Sequence, residues 1–541
     1  MANRCGMDLT PRRVARILSV SALIGALSLG AAWAGAALGP TPPGPDLGDL
    51  PEQAGGPFRE ATASPTPLPG LEGGEVYAGA AKIDIAPQPD ATKGEVWIKD
   101  RSLCETMNPD GSGLPALPDN VADLASLWPE NPGCIYTGGY GIGPMNAVDR
   151  FDETYGLWVR SAAIGNGTET VVTTIIDGIY WQGHYARMCD GCGAFDLAAE
   201  LGEELKSYGV KASGIFIGAT HSHTAPDFIG GWGGVPKWYM EQVADAVRDS
   251  IRQAVTGMRP AKLEAGEVLA RDHNRDRRTT YHAAEEAGLS WLRTVGRDGA
   301  TIATLGAYAA HPVTRDNTGE AHADWPGPFN KRLEERFGGI GLQFMTGLGN
   351  MSPRGGTAMG TALADSVPPV GAGQPIGSPG GPVAVKSAAV RWDQPVTNVA
   401  LGALGGAGLF DRPFSGPATV TVGRSSQRPC VSASAVSART GVNAARIGNL
   451  VITGAPGETF SNLSNTLKEQ RTGQLTFPLA VVNDGLGYIM QSFETFDEGR
   501  QALGFAGTDA TEYEDAYSID RCFGDMVLSQ TMGLVNTVWQ P

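Results

Sequence analysis

Apolar residues along this chain come in short runs that stop at Gly, Pro or a polar side chain, the signature of buried strands bounded by turns. Residues 76–87, VYAGAAKIDIAP, alternate and end at a proline, as a strand does. Residues 156–177 read as a hairpin, two β-rich runs around Gly165-Asn166-Gly167, where Asn-Gly supplies the positive φ angles of a tight turn. Ile215, Phe216 and Ile217 form a short strand ending at Gly218. Residues 289–295 and 301–312 make a second strand pair, joined by Arg297-Asp298-Gly299. Residues 341–349 and 446–454 predict further strands, the latter breaking at Gly454-Ala455-Pro456-Gly457 before a helix from Glu458, and 476–489 end in a glycine turn carrying Tyr488. Helical spacing marks 195–208, 328–337 and 237–258, the last with Met240, Val243, Val247 and Ile251 on one face.

The polar ends of these runs carry the chemistry. His221 and His223 lie just past the run Ile215–Ile217, and His311 stands at the end of 301–312. Ser352 follows 341–349 in a Gly-rich turn, Glu458 follows the Gly-Ala-Pro-Gly break, and Tyr488 follows 476–482. Open α/β sheets bind ligands in the crevice beyond the carboxyl ends of their strands, so five such placements suggest one crevice. Two histidines, a carboxylate and a phenol make a coherent zinc shell. The alternative is that Glu458 caps its helix and Tyr488 only buries its ring.

Other stretches lack this patterning. Residues 1–36 read as an export signal, with Arg12, Arg13 and Arg16 before an apolar run and small residues Ala32, Ala34 and Ala36 at the cleavage region; an uncleaved anchor is the alternative. The expected destination is secreted, periplasmic or at the cell surface. Residues 37–75 are Pro/Gly-rich and predict a flexible linker. Residues 88–135 predict a surface insert pinned by Cys104 and Cys134, and residues 355–382 an irregular Gly/Pro-rich loop or lid. The folded domain is expected over 76–541.

Composition narrows the functional classes. The chain is 42% hydrophobic and 18% charged, a globular balance over 541 residues. A net charge of −16, with no Lys/Arg cluster beyond the N-terminus, excludes the electrostatic footprint of a nucleic-acid binder. Six cysteines beyond the signal fit disulfides in an exported chain, with Cys189 and Cys192 reading as a local bridge; six allow fifteen connectivities, and spacing does not choose among them.

Six segments together resemble the neutral ceramidases, zinc amidases that cleave the amide of N-acylsphingosine. They are GATHSHTAPD, ARDHNRD, AYAAHPVT, GLGNMSPR, ITGAPGETF and GLGYI, in the same order along the chain, from about Tyr77 to Tyr488. The resemblance implies an α/β fold, mixed β-sheets layered with helices in a single large catalytic domain. It implies one Zn2+ per chain held by His221, His311, Glu458 and Tyr488, with Ser352 as catalytic serine and His223 and Arg275 lining the site. Zinc would polarise the amide carbonyl, Arg275 hold a hydroxyl or developing oxyanion, and His223 shuttle protons. The substrate it implies is a lipid-like small molecule, an N-acyl sphingoid base or related N-acyl lipid, with a membrane surface as the place it could be met.

The chain departs from the family pattern in three places. Gly349-Asn350-Met351 replaces an acidic residue before the serine, Thr224-Ala225-Pro226-Asp227 replaces Ser-Gly-Pro-Gly, and MQSFETFDEGRQALGF replaces a tyrosine-rich stretch. The residues after Tyr488 leave no room for the family's C-terminal β-sandwich. Two other readings compete with a zinc amidase. One is a surface binding protein that keeps the fold with weakened catalysis. The other is a zinc hydrolase of another substrate class, since His221, His223 and Asp227 superficially resemble a metallo-β-lactamase H-x-H-x-D-H core whose Asp-His pair is missing.

Overall fold

The structure, a computed structural model, describes residues 69–540 apart from 106–130, 132, 141–145, 279–284, 378–380, 399–400, 403–404, 406–409, 424–428, 470–474 and 495–512. The expected signal, most of the expected linker and the middle of the expected insert lie outside the described residues. The last linker residues are held in place: Tyr77 donates to the Pro69 carbonyl at 2.8 Å, and Arg297 pairs with buried Glu75.

A large mixed sheet organises the chain. Its strands run in the order Ile340–Met345, Thr301–Tyr308, Gly288–Gly296, Arg259–Leu269, Val76–Asp84, Trp158–Gly165, Thr170–Ile176 and Val210–Ala219, with Gln374–Pro375 also paired to Arg259–Leu269. The pairs at the two ends of this order are parallel and the interior ladders antiparallel. A second sheet of four strands, Val385–Pro395, Ser437–Ile447, Leu450–Gly454 and Leu475–Leu479, lies against one face of the first. Strand alternation explains the layering. Val76, Ile164, Val171, Phe216, Leu305 and Leu342 meet Val385, Ala445, Ile452 and Phe477 of the smaller sheet. The opposite face of the large sheet sends Tyr77, Ala81, Val159 and Ile176 into the helix Lys237–Thr256, and Trp291 and Tyr308 toward Phe329 and Leu333 of the helix Pro326–Phe337. Helices Ser461–Glu469 and Phe523–Trp539 cover the outside of the smaller sheet through Leu463, Leu467, Val527 and Val535. This is the expected mixed α/β architecture of sheets layered with helices.

Two expected elements differ. Residues 355–382 contain the helix Met359–Ser366, whose Met359, Leu363 and Ala364 are buried in the cluster around Phe329; flanking Gly and Pro hide this apolar face in the sequence. No helix begins at Glu458. Glu458–Thr459 is a short strand paired in parallel with Tyr488–Ile489, and the helix starts at Ser461.

The way the large sheet closes positions everything functional. By sheet order, Val210–Ala219 and Thr301–Tyr308 point in opposite directions, so a flat sheet would hold their ends apart. Seven strand-to-strand steps at about 20–25° each sum to on the order of 150°, close to half a turn. The segment leaving Leu475–Leu479 then bridges the two edges: the Ala219 N–H donates to the Val481 carbonyl at 3.1 Å, and the Ala480 N–H to the Met345 carbonyl at 2.8 Å. Three disulfides, Cys104–Cys134, Cys189–Cys192 and Cys430–Cys522, complete the framework. Among the described residues no helix is long and apolar enough to cross a membrane.

Candidate metal centre

The carboxyl ends of four strands meet at this seam. His221 leaves Val210–Ala219 with φ 58°, a left-handed turn that a non-glycine residue rarely adopts. The Thr220 N–H donates to the Ile176 carbonyl at 2.9 Å, tying the turn to the neighbouring strand. His311 follows Thr301–Tyr308, and its N–H donates to the Met351 carbonyl at 3.0 Å. Glu458 and Tyr488 sit opposite each other in their short ladder, closed by the Glu458 N–H to the Gly487 carbonyl at 2.9 Å.

The histidine donors converge. One ring nitrogen each from His221, His223 and His311 lie within 4.8 Å of one another, a set that could hold a metal ion. Glu458 Oε2 is 2.9 Å from His311 Nε2 and 3.3 Å from His221 Nε2. His221 Nδ1 lies 2.9 Å from the Ile179 carbonyl and His223 Nδ1 lies 3.1 Å from the Gly139 carbonyl. Each Nδ1 is therefore the protonated donor, which leaves Nε2 as a bare lone pair. Both of these Nε2 atoms are buried: His221 Nε2 faces the Glu458 carboxylate, and His223 Nε2 has no hydrogen-bond partner among the described residues. Buried acceptors turned toward a carboxylate and toward one another are costly unless a cation completes them, so the donor set fits a metal ion.

Burial sets the protonation states. Burial holds His223 well below the ordinary imidazole value, and neighbouring His221 and His311 lower it further. Burial, with Arg277 beside it, takes His311 down to about 4. Burial pushes the Glu458 carboxyl up, but His221 and His311 together outweigh it and hold it well below its usual range. At neutral pH His223 and His311 are neutral imidazoles and Glu458 is a carboxylate, the forms that bind metal.

The other sequence-predicted residues lie close by. Met351–Pro353 forms a two-stranded ladder with Asn274–Asp276, in which Ser352 opposes Arg275. Directly opposed residues of an antiparallel pair share a face, so these two side chains stand on the same side. Ser352 is half-buried and Arg275 exposed. The guanidinium that touches the centre is that of Arg277. It donates to the Tyr488 hydroxyl at 3.1 Å and to the Gly349 carbonyl at 2.8 Å, stands 3.5 Å from His311 Nδ1, and pairs with buried Glu514 at 2.7 Å. Asp227 turns away from the histidines; its two oxygens accept the N–H groups of Ile229, Gly230, Trp232 and Gly234 and shape the Gly-rich loop that follows.

Sequence reading missed four residues here: Tyr180, Arg277, Glu514 and Gly139. Tyr180 is buried, hydrogen-bonds Glu458 Oε1 and sets its ring edge-on to His221, with centroids 4.7 Å apart. It also follows a strand end, Thr170–Ile176, which was the available signal.

The fold and the centre define a class: a mixed α/β protein with a buried histidine–carboxylate cluster suited to a metal ion. No family model and no curated protein matches the chain. Among solved structures, the chain is similar to the neutral ceramidase from Pseudomonas aeruginosa, with a TM-score of 0.54 at 14% identity over 87% of this chain and 76% of that one. It is similar to a ceramidase complexed with C2, with a TM-score of 0.54 at 13% identity over the same shares. The fold is ceramidase-like.

Proposed function

We propose that this chain is an exported zinc-dependent amidohydrolase that cleaves the amide of an N-acyl sphingoid base or a related N-acyl lipid into fatty acid and amine. The observation that carries the reading is the convergence of buried ring nitrogens of His221, His223 and His311 with the Glu458 carboxylate around one point. The ordered motifs and the ceramidase-like fold support the amide-lipid substrate class. Three disulfides suit an extracellular or periplasmic location.

His221, His311 and Glu458 would hold the zinc, with Tyr488 or His223 completing the set. Zinc held there supplies a Lewis acid for an amide carbonyl. Where Tyr488 completes the set, His223, kept neutral by burial, is free to accept a proton through Nε2 and return it to the leaving amine. Ser352 either attacks the carbonyl or orients a water toward it. Arg275, opposite Ser352, offers donors to the developing oxyanion or to a substrate hydroxyl. Arg277, anchored by Glu514, holds the Tyr488 phenol in place.

The test is elemental analysis of the purified protein, followed by incubation with N-acyl sphingoid bases, N-acyl amino acids and short peptides. Stoichiometric zinc and fatty-acid release that stops with a chelator and returns with zinc are expected. A zinc-loaded protein that cleaves peptides and leaves every N-acyl lipid intact would overturn the substrate class.

A further inference from the structure

We infer that Tyr180 is a positioning residue for the metal centre, a hydroxyl that fixes which way the Glu458 carboxylate faces; the inference rests on the metal-centre reading above. Glu458 has two oxygens with different surroundings. Oε2 faces His311 and His221, while Oε1 accepts the phenolic O–H of Tyr180. The terminal torsion of a glutamate is broad and weakly restrained, so the carboxylate needs an external partner to keep one oxygen on the histidines. Tyr180 is the side chain that supplies it.

The same dipeptide holds a second candidate ligand. The carbonyl of Ile179 accepts the Nδ1–H of His221 at 2.9 Å, and the Tyr180 ring packs edge-on against that imidazole. Residues 179 and 180 thus grip one ligand from the large sheet and one from the segment following the smaller sheet. Carbonyl and hydroxyl partners of this kind set tautomer and orientation of metal ligands, and removing one typically costs 10- to 100-fold in metal affinity.

Gly485 makes the space. A Cβ at that position would stand 2.7 Å from two atoms of the Tyr180 ring and 2.9 Å from its Cβ, well inside van der Waals contact. Gly485 immediately follows Asp484, whose carboxylate accepts the Gly183 N–H at 3.0 Å, so the backbone on both sides of the tyrosine is tied and the ring has little room to retreat. Gly485→Ala therefore perturbs the centre through Tyr180.

The experiment titrates zinc into the metal-free full chain against a competing chelator for wild type, Tyr180→Phe, Gly485→Ala and the double variant. It is read beside the thermal midpoint of each metal-free protein and the ligand-field spectrum of each cobalt-loaded one. Expected are a 10- to 100-fold weaker zinc affinity in Tyr180→Phe, a shifted cobalt spectrum, and a double variant weakened less than the product of the two singles. Tyr180→Phe removes one oxygen and keeps the ring, and Gly485→Ala keeps the hydroxyl, so the two do not share one route to misfolding. Wild-type affinity and spectrum in both single variants would overturn the inference while leaving the metal centre standing. A wild-type chain that binds no zinc would overturn the metal-centre reading itself.

Discussion

Gly139→Ala tests how closely the backbone is fitted to His223. Gly139 has φ +90°, and a Cβ there would stand 2.2 Å from His223 Nδ1 and 2.3 Å from its Cγ, against ordinary contact from 3.4 Å. The ring must retreat by about 1 Å, because the 2.2 Å approach has to open to 3.4 Å, and the hydrogen bond from Nδ1 to the Gly139 carbonyl breaks with it. Placing a side chain at left-handed φ costs about 1–2 kcal/mol, and the lost hydrogen bond about 1 kcal/mol more, so the metal-free protein should lose about 2–3 kcal/mol. Zinc affinity should fall roughly 10- to 100-fold as the imidazole leaves its orientation. Gly299→Ala is the control: φ is +78° with nothing within 4 Å of the added Cβ, so it reports the backbone cost alone. Denaturant titration of both metal-free variants and zinc competition titration separate the two contributions. The reasoning fails if Gly139→Ala holds zinc as tightly as wild type, or loses no more stability than Gly299→Ala.

Ser352→Ala should leave zinc affinity unchanged and slow fatty-acid release by roughly 100-fold or more, because its hydroxyl serves the reaction and not the metal; an unaltered rate would return Ser352 to the role of a turn residue. Glu494 is buried, and burial raises its carboxyl to about 7. Since the folded pKa lies above the unfolded value near 4.5, its stabilising contribution is complete below pH 4.5 and is lost as pH rises through 7. Glu494→Gln should therefore match wild type near pH 4 and gain on it above pH 7, by on the order of 3 kcal/mol at most, and parallel stability curves across that range would contradict this. Zinc at 100 times its Kd should stabilise the chain by about 2.7 kcal/mol and slow amide exchange at residues 217–221 and 480–483, where the sheet edges meet; a melting temperature indifferent to zinc and chelator would count against a site at that seam.

Much of the fold was legible because its strands are short apolar runs cut by glycine or proline, and the residues that end them are the ones that matter. His221, His311, Glu458 and Tyr488 could each be placed past a strand from local pattern alone. Arginine placement was harder. In Asn274-Arg275-Asp276-Arg277-Arg278 alternation puts Arg275 and Arg277 on one face and does not reveal that Arg277 meets His311 and Tyr488, a contact made just past the ladder with Met351–Pro353, whose pairing is set far away in sequence. Glu458 looked like the start of a helix because its strand is two residues long and its partner, Tyr488, lies thirty positions on. Tyr180 follows Asp177-Gly178, an ordinary strand exit, and nothing local reveals the carboxylate it meets. Glu514 comes from the C-terminal segment, and its pairing with Arg277 spans 237 positions.

The closure of the large sheet also explains where the backbone is strained. His221 at φ 58°, Val481 at φ 56° and Asn483 at φ 69° all lie at the seam, and for a β-branched valine this conformation is a genuine outlier. Each costs about 1–2 kcal/mol, so the seam persists only because its surroundings over-determine it. Asn483 shows how. Its N–H donates to the Ile217 carbonyl at 2.6 Å and its side-chain oxygen accepts the Ile217 N–H at 3.0 Å, pairing both backbone groups of a residue four positions before His221. The left-handed turn at His221 then aims the imidazole at His311, which arrives from a strand six places away in the sheet. Without the half-turn of twist and the 480–483 bridge these two histidines would sit at opposite ends of an open sheet. The strain that closes the sheet and the convergence that builds the metal centre are therefore one structural feature, and a substitution that relaxes the first should disperse the second.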